Sequence, residues 1–291
     1  MKGIILAGGT GSRVYPSTKT VSKQLLPIYD KPTIYYPLST LIKLGIKDIM
    51  IITNAQTYPF LIKLFNHTAF GTDKVKPYLG LNLTFKVQVS PAGIAEALII
   101  AESWQGDDDV CLILGDNIFT GIRKPKLNGN KSCVVSYKVS NPSEYGVVEL
   151  NPYGDIISIE EKPDTPLSNY AVTGIYFYDN TAGKRARALE PSARGELEIT
   201  DLNKSYLQDN TLGHNSLNSN YAWFDTGNPD EMFAASMYVK SVQDRTNTMI
   251  GCIEGESWKE GNISEAQFKK IVEKMPDCSY KTNIVMSYYF D

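Results

Sequence analysis

Apolar and polar positions in the first half of the chain alternate between two rhythms. Ile4-Ile5-Leu6-Ala7 is a continuous apolar run ending in glycines, as a strand buried on both faces would be. Over residues 33–44, Ile34, Leu38, Leu41 and Ile42 recur at helical spacing, and Gly45 stands where a cap is needed. Asp48-Ile49-Met50-Ile51-Ile52-Thr53 repeats the buried-strand pattern. Pro59 can open a helix whose inner face is Phe60, Leu61, Leu64 and Phe65. Residues 83–89 alternate like a strand, Ile94, Ala97, Leu98 and Ala101 mark a helix, and residues 110–114 another strand. Strands separated by helix-length segments predict right-handed βαβ crossovers, hence an α/β sheet covered on both faces.

From about residue 132 strand patterns dominate, at 133–139, 146–150, 155–161 and 171–178, with turn chemistry in Asn151-Pro152-Tyr153-Gly154. Helices return near 181–190, 200–210 and 229–243. Near the end, Ser264 and Gln267 form a capping-box pattern, and Phe268, Ile271, Val272 and Met275 follow at 3.6 periodicity until Pro276 stops the helix. No linker, repeat or low-complexity stretch interrupts the chain. A single elaborated α/β domain with a C-terminal helical end is the organisation this pattern predicts.

Composition narrows the class. The 291 residues are 42% hydrophobic, too apolar for a disordered chain. Lys plus Arg number 29 against 32 Asp plus Glu, a net charge of −3 with no basic tail, so duplex nucleic acid and anionic membranes are poor partners. The four cysteines (Cys111, Cys133, Cys252 and Cys278) are far apart, and with only His67 and His214 no zinc site can be assembled by spacing. Absence of a disulfide pattern fits a reducing compartment. The N-terminal apolar run is too short for a signal peptide, and nothing reaches membrane-spanning length. The expectation is a soluble, cytoplasmic protein.

The richest chemical signal is Leu6-Ala7-Gly8-Gly9-Thr10-Gly11-Ser12-Arg13, directly after the first strand. Three glycines in four positions let backbone N–H groups approach a phosphate chain, at the strand end where open α/β sheets bind ligands. A dinucleotide fingerprint would need a third glycine where Val14 stands, and a Walker-type loop would need Gly-Lys-Ser/Thr. A bare glycine turn is the plain alternative. Arg13 in the loop and Lys23 ten residues on favour a nucleoside triphosphate over it.

With Ser22-Lys23-Gln24-Leu25-Leu26-Pro27, this opening resembles the sugar nucleotidyltransferases. Tyr29-Asp30-Lys31-Pro32 and Ile34-Tyr35-Tyr36-Pro37-Leu38 narrow the resemblance to the glucose-1-phosphate thymidylyltransferases. It runs to about residue 247 through Leu114-Gly115-Asp116-Asn117, Glu144-Tyr145-Gly146, Glu160-Glu161-Lys162-Pro163, Tyr170-Ala171-Val172-Thr173-Gly174, Arg194-Gly195-Glu196-Leu197-Glu198 and Trp223-Phe224-Asp225-Thr226-Gly227. The resemblance implies a Rossmann-like nucleotidyltransferase domain over 1–247, with a mixed central sheet and helices on both faces. A C-terminal helical extension over 248–291 would pack on the same domain or a neighbouring subunit.

Such enzymes join a sugar 1-phosphate to a nucleoside triphosphate and release pyrophosphate, chemistry that calls for positioning and charge neutralisation. By resemblance, Gly8, Gly9 and Gly11 hold the triphosphate of dTTP, Arg13 stabilises the departing pyrophosphate and Lys23 approaches the phosphates. Lys162 holds the anion of glucose 1-phosphate. Asp116 and Asp225 would jointly hold Mg²⁺, for which oxygen ligands at two strand ends are suited. Gln88 and Gly93 match the contacts to the thymine edge, and Gln88 can both donate and accept. Asn117, Gly146, Glu161 and Thr173 match positions around the hexose.

The chain departs from the family in three places that matter. After Pro91 the usual Asp-Gly-Leu-Ala-Gln-Ala reads Ala92-Gly93-Ile94-Ala95-Glu96-Ala97, and residues 118–131 are shorter and more basic than usual. Beyond about 248 the similarity fades, in the part that in the family builds subunit contacts and a regulatory nucleotide site. The reading is an Mg²⁺-dependent transfer of thymidylyl from dTTP to glucose 1-phosphate, giving dTDP-glucose for deoxysugar synthesis such as the dTDP-rhamnose route. A homotetramer is expected by resemblance. Uridylyl transfer to the same sugar phosphate is the nearest rival, since only a methyl separates thymine from uracil. A non-catalytic nucleotide-sugar-binding regulatory subunit is the rival from another class. It would be expected to have lost some of Arg13, Lys23, Asp116, Lys162 and Asp225.

Overall fold

The structure, a computed structural model, describes residues 1–65, 79–127 and 129–289; His67 lies outside the described residues. In chain order the first half contains β1 (Lys2–Ala7), β2 (Pro27–Ile28), β3 (Lys31–Pro32), α1 (Tyr35–Lys43), β4 (Asp48–Thr53) and α2 (Tyr58–Phe65). There follow β5 (Asn82–Val87), α3 (Glu96–Gln105), β6 (Val110–Leu114), β7 (Asn117–Phe119) and β8 (Ser132–Lys138). Next come β9 (Gly146–Leu150), β10 (Ile156–Glu161), β11 (Tyr170–Tyr178), α4 (Ala182–Arg187), α5 (Ile199–Gln208), β12 (Leu212–Ser216) and β13 (Trp223–Asp225). Four helices finish the described chain: α6 (Pro229–Thr246), α7 (Ile253–Lys259), α8 (Glu265–Glu273) and α9 (Ser279–Tyr288).

The central sheet runs β10-β9-β11-β6-β1-β4-β5, with β8 added on β11 and β12 on β8. β1 is parallel to both β4 and β6, and β5 is parallel to β4, as the βαβ rhythm of the first half requires. β11 reverses the direction and pairs antiparallel with β6, β8 and β9, so the sheet is mixed.

Alternate strand residues serve two cores, because successive side chains point to opposite faces. Ile5, Ile49, Ile51, Cys111 and Ile113 pack with α1 and α2 residues such as Leu38, Leu41, Leu61 and Phe65. Ile4, Met50, Ile52, Val110 and Leu112 pack on the other face with Leu98 of α3, Ala186 of α4 and Leu202 of α5. The first cluster also takes in Cys252, Ile253, Phe268, Val272, Ile284 and Tyr288, so the C-terminal helices share its core. Trp258 and Phe268 stack there at 4.9 Å between ring centroids. The expected capping box of Ser264 and Gln267 starts α8.

Two local expectations are corrected. Phe60 is 56% exposed, and the inner face of α2 is Leu61, Ile62 and Phe65. The strand expected over 83–89 ends at Val87, and Val89 stands in solvent. No helix among the described residues is long and apolar enough to cross a membrane.

Candidate active site

Two adjacent parallel strands deliver the first pieces. Leu6 of β1 pairs with Leu114 of β6, and Gly115 N donates to Leu6 O at 2.8 Å, so the glycine loop and Asp116 leave the sheet side by side. Lys23, buried, crosses from the next segment and places its ammonium on Asp116 Oδ2. Asp225 arrives on β13, whose register sets Asp225 opposite Asn117 of β7. Thr226 clamps the junction, donating its N–H at 3.1 Å and its hydroxyl at 2.7 Å to Asp116 O.

The two carboxylates therefore share one corner, and the electrostatics register it. Burial first and the charge of Asp116 second push the Asp225 carboxyl up to about 6, against the pull of Lys23 and Arg13. Among the described residues no group of three or more His, Cys, Asp or Glu could by itself hold a metal. Two half-buried carboxylates at one corner nonetheless suit a hard divalent cation that takes its remaining ligands from phosphate and water.

Asp116, Asp225 and Arg13 line a cavity of about 230 Å³ that also includes Gly146, Glu161, Lys162 and Arg194. Neither Arg13 nor Lys162 makes a salt bridge with a described residue, and both side chains are exposed. Arg13 lies against Gly227: a Cβ there would come within 2.6 Å of its Nη2. Lys162 sits in left-handed backbone (φ 44°), anchored by donation of its N–H to Tyr145 O at 3.0 Å. Glu161 accepts from Thr200 Oγ1 at 2.6 Å, at the first turn of α5, and a Cβ on Gly146 would lie 3.4 Å from Glu161 Oε2.

A second cavity, about 420 Å³, opens on the other side of the glycine loop, lined by Gly8, Gly9, Thr10, Ser22, Asn54 and Gln88. Gly11 takes φ 64° and packs on Thr18, whose hydroxyl donates to Gly11 O at 2.8 Å. Gly93 takes φ 102°, and a Cβ on it would fall 2.4 Å from Leu197 O. Its need for glycine is thus set by a neighbouring chain segment. That segment is tied to the same loop by Leu197 N donating to Ala92 O at 2.7 Å.

Of two expected sugar contacts, Asn117 lines the cavity and is also tied into the frame, whereas Thr173 does not line it. Asn117 is 1% exposed; its oxygen accepts from Trp223 Nε1 at 2.6 Å and Gly174 N at 3.2 Å, and its amide donates to Asp116 Oδ1 at 3.0 Å. It orients Asp116. Thr173 is fully buried and donates to Val135 O at 3.0 Å, whereas its neighbours Val172 and Gly174 face the cavity. Lys23, expected on the phosphates, is engaged with Asp116. Sequence reasoning passed over Arg194, which lines the cavity and is held by Glu198 at 2.9 and 3.0 Å. It also passed over Tyr145 and Trp223, whose rings meet at 5.2 Å at the cavity wall. The block that carries Arg194 is plain in the sequence; its approach to the cavity is not.

The family model described as nucleotidyl transferase matches residues 2–242. A glucose-1-phosphate thymidylyltransferase of Neisseria meningitidis (serogroup A / serotype 4A) is 45% identical over 286 residues, 96% of each chain. One from Xanthomonas campestris pv. campestris is 44% identical over 93% of this chain and 91% of its own. A Bacillus anthracis crystal structure assigned as a glucose-1-phosphate thymidylyltransferase, in complex with a sucrose, superposes with TM-score 0.71. It is 40% identical, over 82% of this chain and 94% of that one. A UDP-glucose pyrophosphorylase complexed with UDP-glucose also reaches TM-score 0.71, over 82% of this chain and 98% of its own, but at 23% identity it speaks to the fold alone. With these blocks and this site in one chain, the protein belongs to the nucleotidyl transferase family, among the glucose-1-phosphate thymidylyltransferases.

Proposed function

We infer that this chain transfers a thymidylyl group from dTTP to α-D-glucose 1-phosphate, giving dTDP-glucose and pyrophosphate. One observation carries the reading. Arg13 and Lys162, which make no salt bridge with a described residue, line a single cavity with Asp116 and Asp225, beside a second cavity built on the glycine loop. Two anions that repel each other can meet only where such cations flank them. In this reading a phosphate oxygen of the sugar phosphate attacks the α-phosphorus while the bond to the bridging oxygen breaks and pyrophosphate leaves. Lys162 holds the attacking phosphate and Arg13 takes up charge on the leaving group. Lys23 and Asn117 fix Asp116 in place, and Asp116 and Asp225 supply the carboxylates for Mg²⁺. When bound, that ion neutralises charge on the triphosphate. Gly8, Gly9 and Gly11 cradle the phosphates, Gln88 and Gly93 flank the base, and Gly146 and Glu161 face the hexose.

The chain is read as a catalytic unit over 1–247 with a helical extension over 248–291. Three buried free thiols, Cys111, Cys133 and Cys252, suit a reducing cytoplasm, and the product would feed deoxysugar synthesis such as the dTDP-rhamnose route. A homotetramer is part of this reading. Phe233 and Met237, one turn apart on α6, are 69% and 53% exposed, an apolar strip of the kind subunit contacts cover. Pyrophosphate release from glucose 1-phosphate with dTTP, UTP, CTP and ATP in parallel tests the activity. The expected order is dTTP, then UTP, with ATP poor. Turnover with ATP equal to that with dTTP would contradict it, and a UTP preference would favour the uridylyl rival.

A further inference from the structure

Gln88, buried at the foot of the second cavity, does not hold its amide alone. Its Nε2 donates to Glu96 Oε2, and the same carboxylate oxygen accepts from Ala92 N at 3.3 Å. The Gln88 oxygen lies on the other side, against the glycine loop, where a Cβ on Gly8 would come within 2.6 Å of it. No salt bridge engages Glu96 among the described residues.

We propose that Glu96 is a positioning residue that sets base selection by fixing which way the Gln88 amide faces; this rests on the pyrimidine-nucleotide reading above. A carboxylate only accepts hydrogen bonds, so it holds the NH₂ end of Gln88 and turns away the oxygen end. Rotating the amide by half a turn would set two acceptors face to face with no proton between them. The locked amide offers its oxygen to a base N–H and its second N–H to a base carbonyl. Thymine and uracil present that pair, N3–H beside a carbonyl oxygen. Cytosine presents the reverse, a bare N3 beside an amino group, and would need the rotated amide. Glu96 thus acts against cytosine without touching the base, and it does so at a position where the family usually has glutamine. Discrimination by unmatched polar groups is stronger than anything a methyl group can supply.

The experiment compares kcat/KM for dTTP and CTP, with glucose 1-phosphate as acceptor, in the wild type, Glu96→Ala and Glu96→Gln, alongside thermal unfolding of each. In E96A the amide is free to rotate, and the dTTP-to-CTP ratio should fall at least about tenfold. E96Q should keep most of the ratio, because its amide oxygen can still accept from Gln88 and Ala92. A merely structural role at the start of α3 predicts equal proportional losses for the two nucleotides. That result, or an E96A ratio like the wild type's, or an E96Q ratio as low as E96A's, would overturn the proposal. Failure of the underlying reading is visible separately, in the wild type: a protein that used CTP as readily as dTTP would remove both.

Discussion

At the scale of single residues, the site depends on close approaches as much as on charges. Gly227 is buried directly beneath the Arg13 guanidinium, and nothing larger fits without moving it. Because the group displaced is the flexible end of a side chain, Gly227→Ala should fold normally and misplace the cation. A displacement of about 1 Å at a catalytic group can cost on the order of 100-fold. The expected outcome is a kcat loss approaching that size with an unchanged melting temperature, measured by steady-state kinetics and thermal unfolding. An enzyme with near-normal kcat would show that Arg13 has no demanding position to keep. Asn117 makes the complementary point. Its three hydrogen bonds tie β7, β11 and β13 to Asp116, so a residue whose type suggests sugar contact is also a bracket.

At the scale of elements, the short β7–β13 ladder matters out of proportion to its length, since it registers Asp225 beside Asn117. It was not legible in the sequence: three residues per strand carry no periodicity, and their pairing is a tertiary event. The strands over 110–114 and 146–150 were legible to the residue, because apolar runs there end abruptly at Gly115 and Asn151. The helix α8 was legible from its cap and stripe. β12 was missed, because Gly213-His214-Asn215 is too polar to read as a strand. It is held as one by parallel pairing with β8, and His214 Nε2 lies 2.8 Å from Ser136 Oγ. Burial lowers the His214 pKa below its ordinary 6.5, with a hydrogen bond donated by the ring to the Gly154 backbone opposing the shift. The unfolded chain therefore binds a proton more readily than the fold, and stability from this group is lost as pH falls below about 6.5. His214→Gln, which cannot titrate, should lose less stability than the wild type between pH 7.5 and 5.5 in urea unfolding. Parallel losses in the two proteins would remove His214 from the account.

For the whole molecule, the mixed sheet with a core on each face is a rigid frame that brings distant segments to one edge. Strands β1 and β6 supply the glycine loop and Asp116, β10 and α5 supply Glu161 and Thr200, and β13 supplies Asp225. Lys162 follows β10, and the C-terminal helices share the core behind α1 without reaching the cavities' linings. In the proposed reaction Asp116 and Asp225 act as one unit on the transferred phosphate. Turnover of dTTP with glucose 1-phosphate by Asp116→Asn, Asp225→Asn and the double variant tests it most directly. Each single change should lower kcat by about 10²–10³. The double variant should be little slower than the slower single, because both side chains serve the same charge. Losses that multiply in the double variant, or near-normal turnover in D225N, would contradict the account.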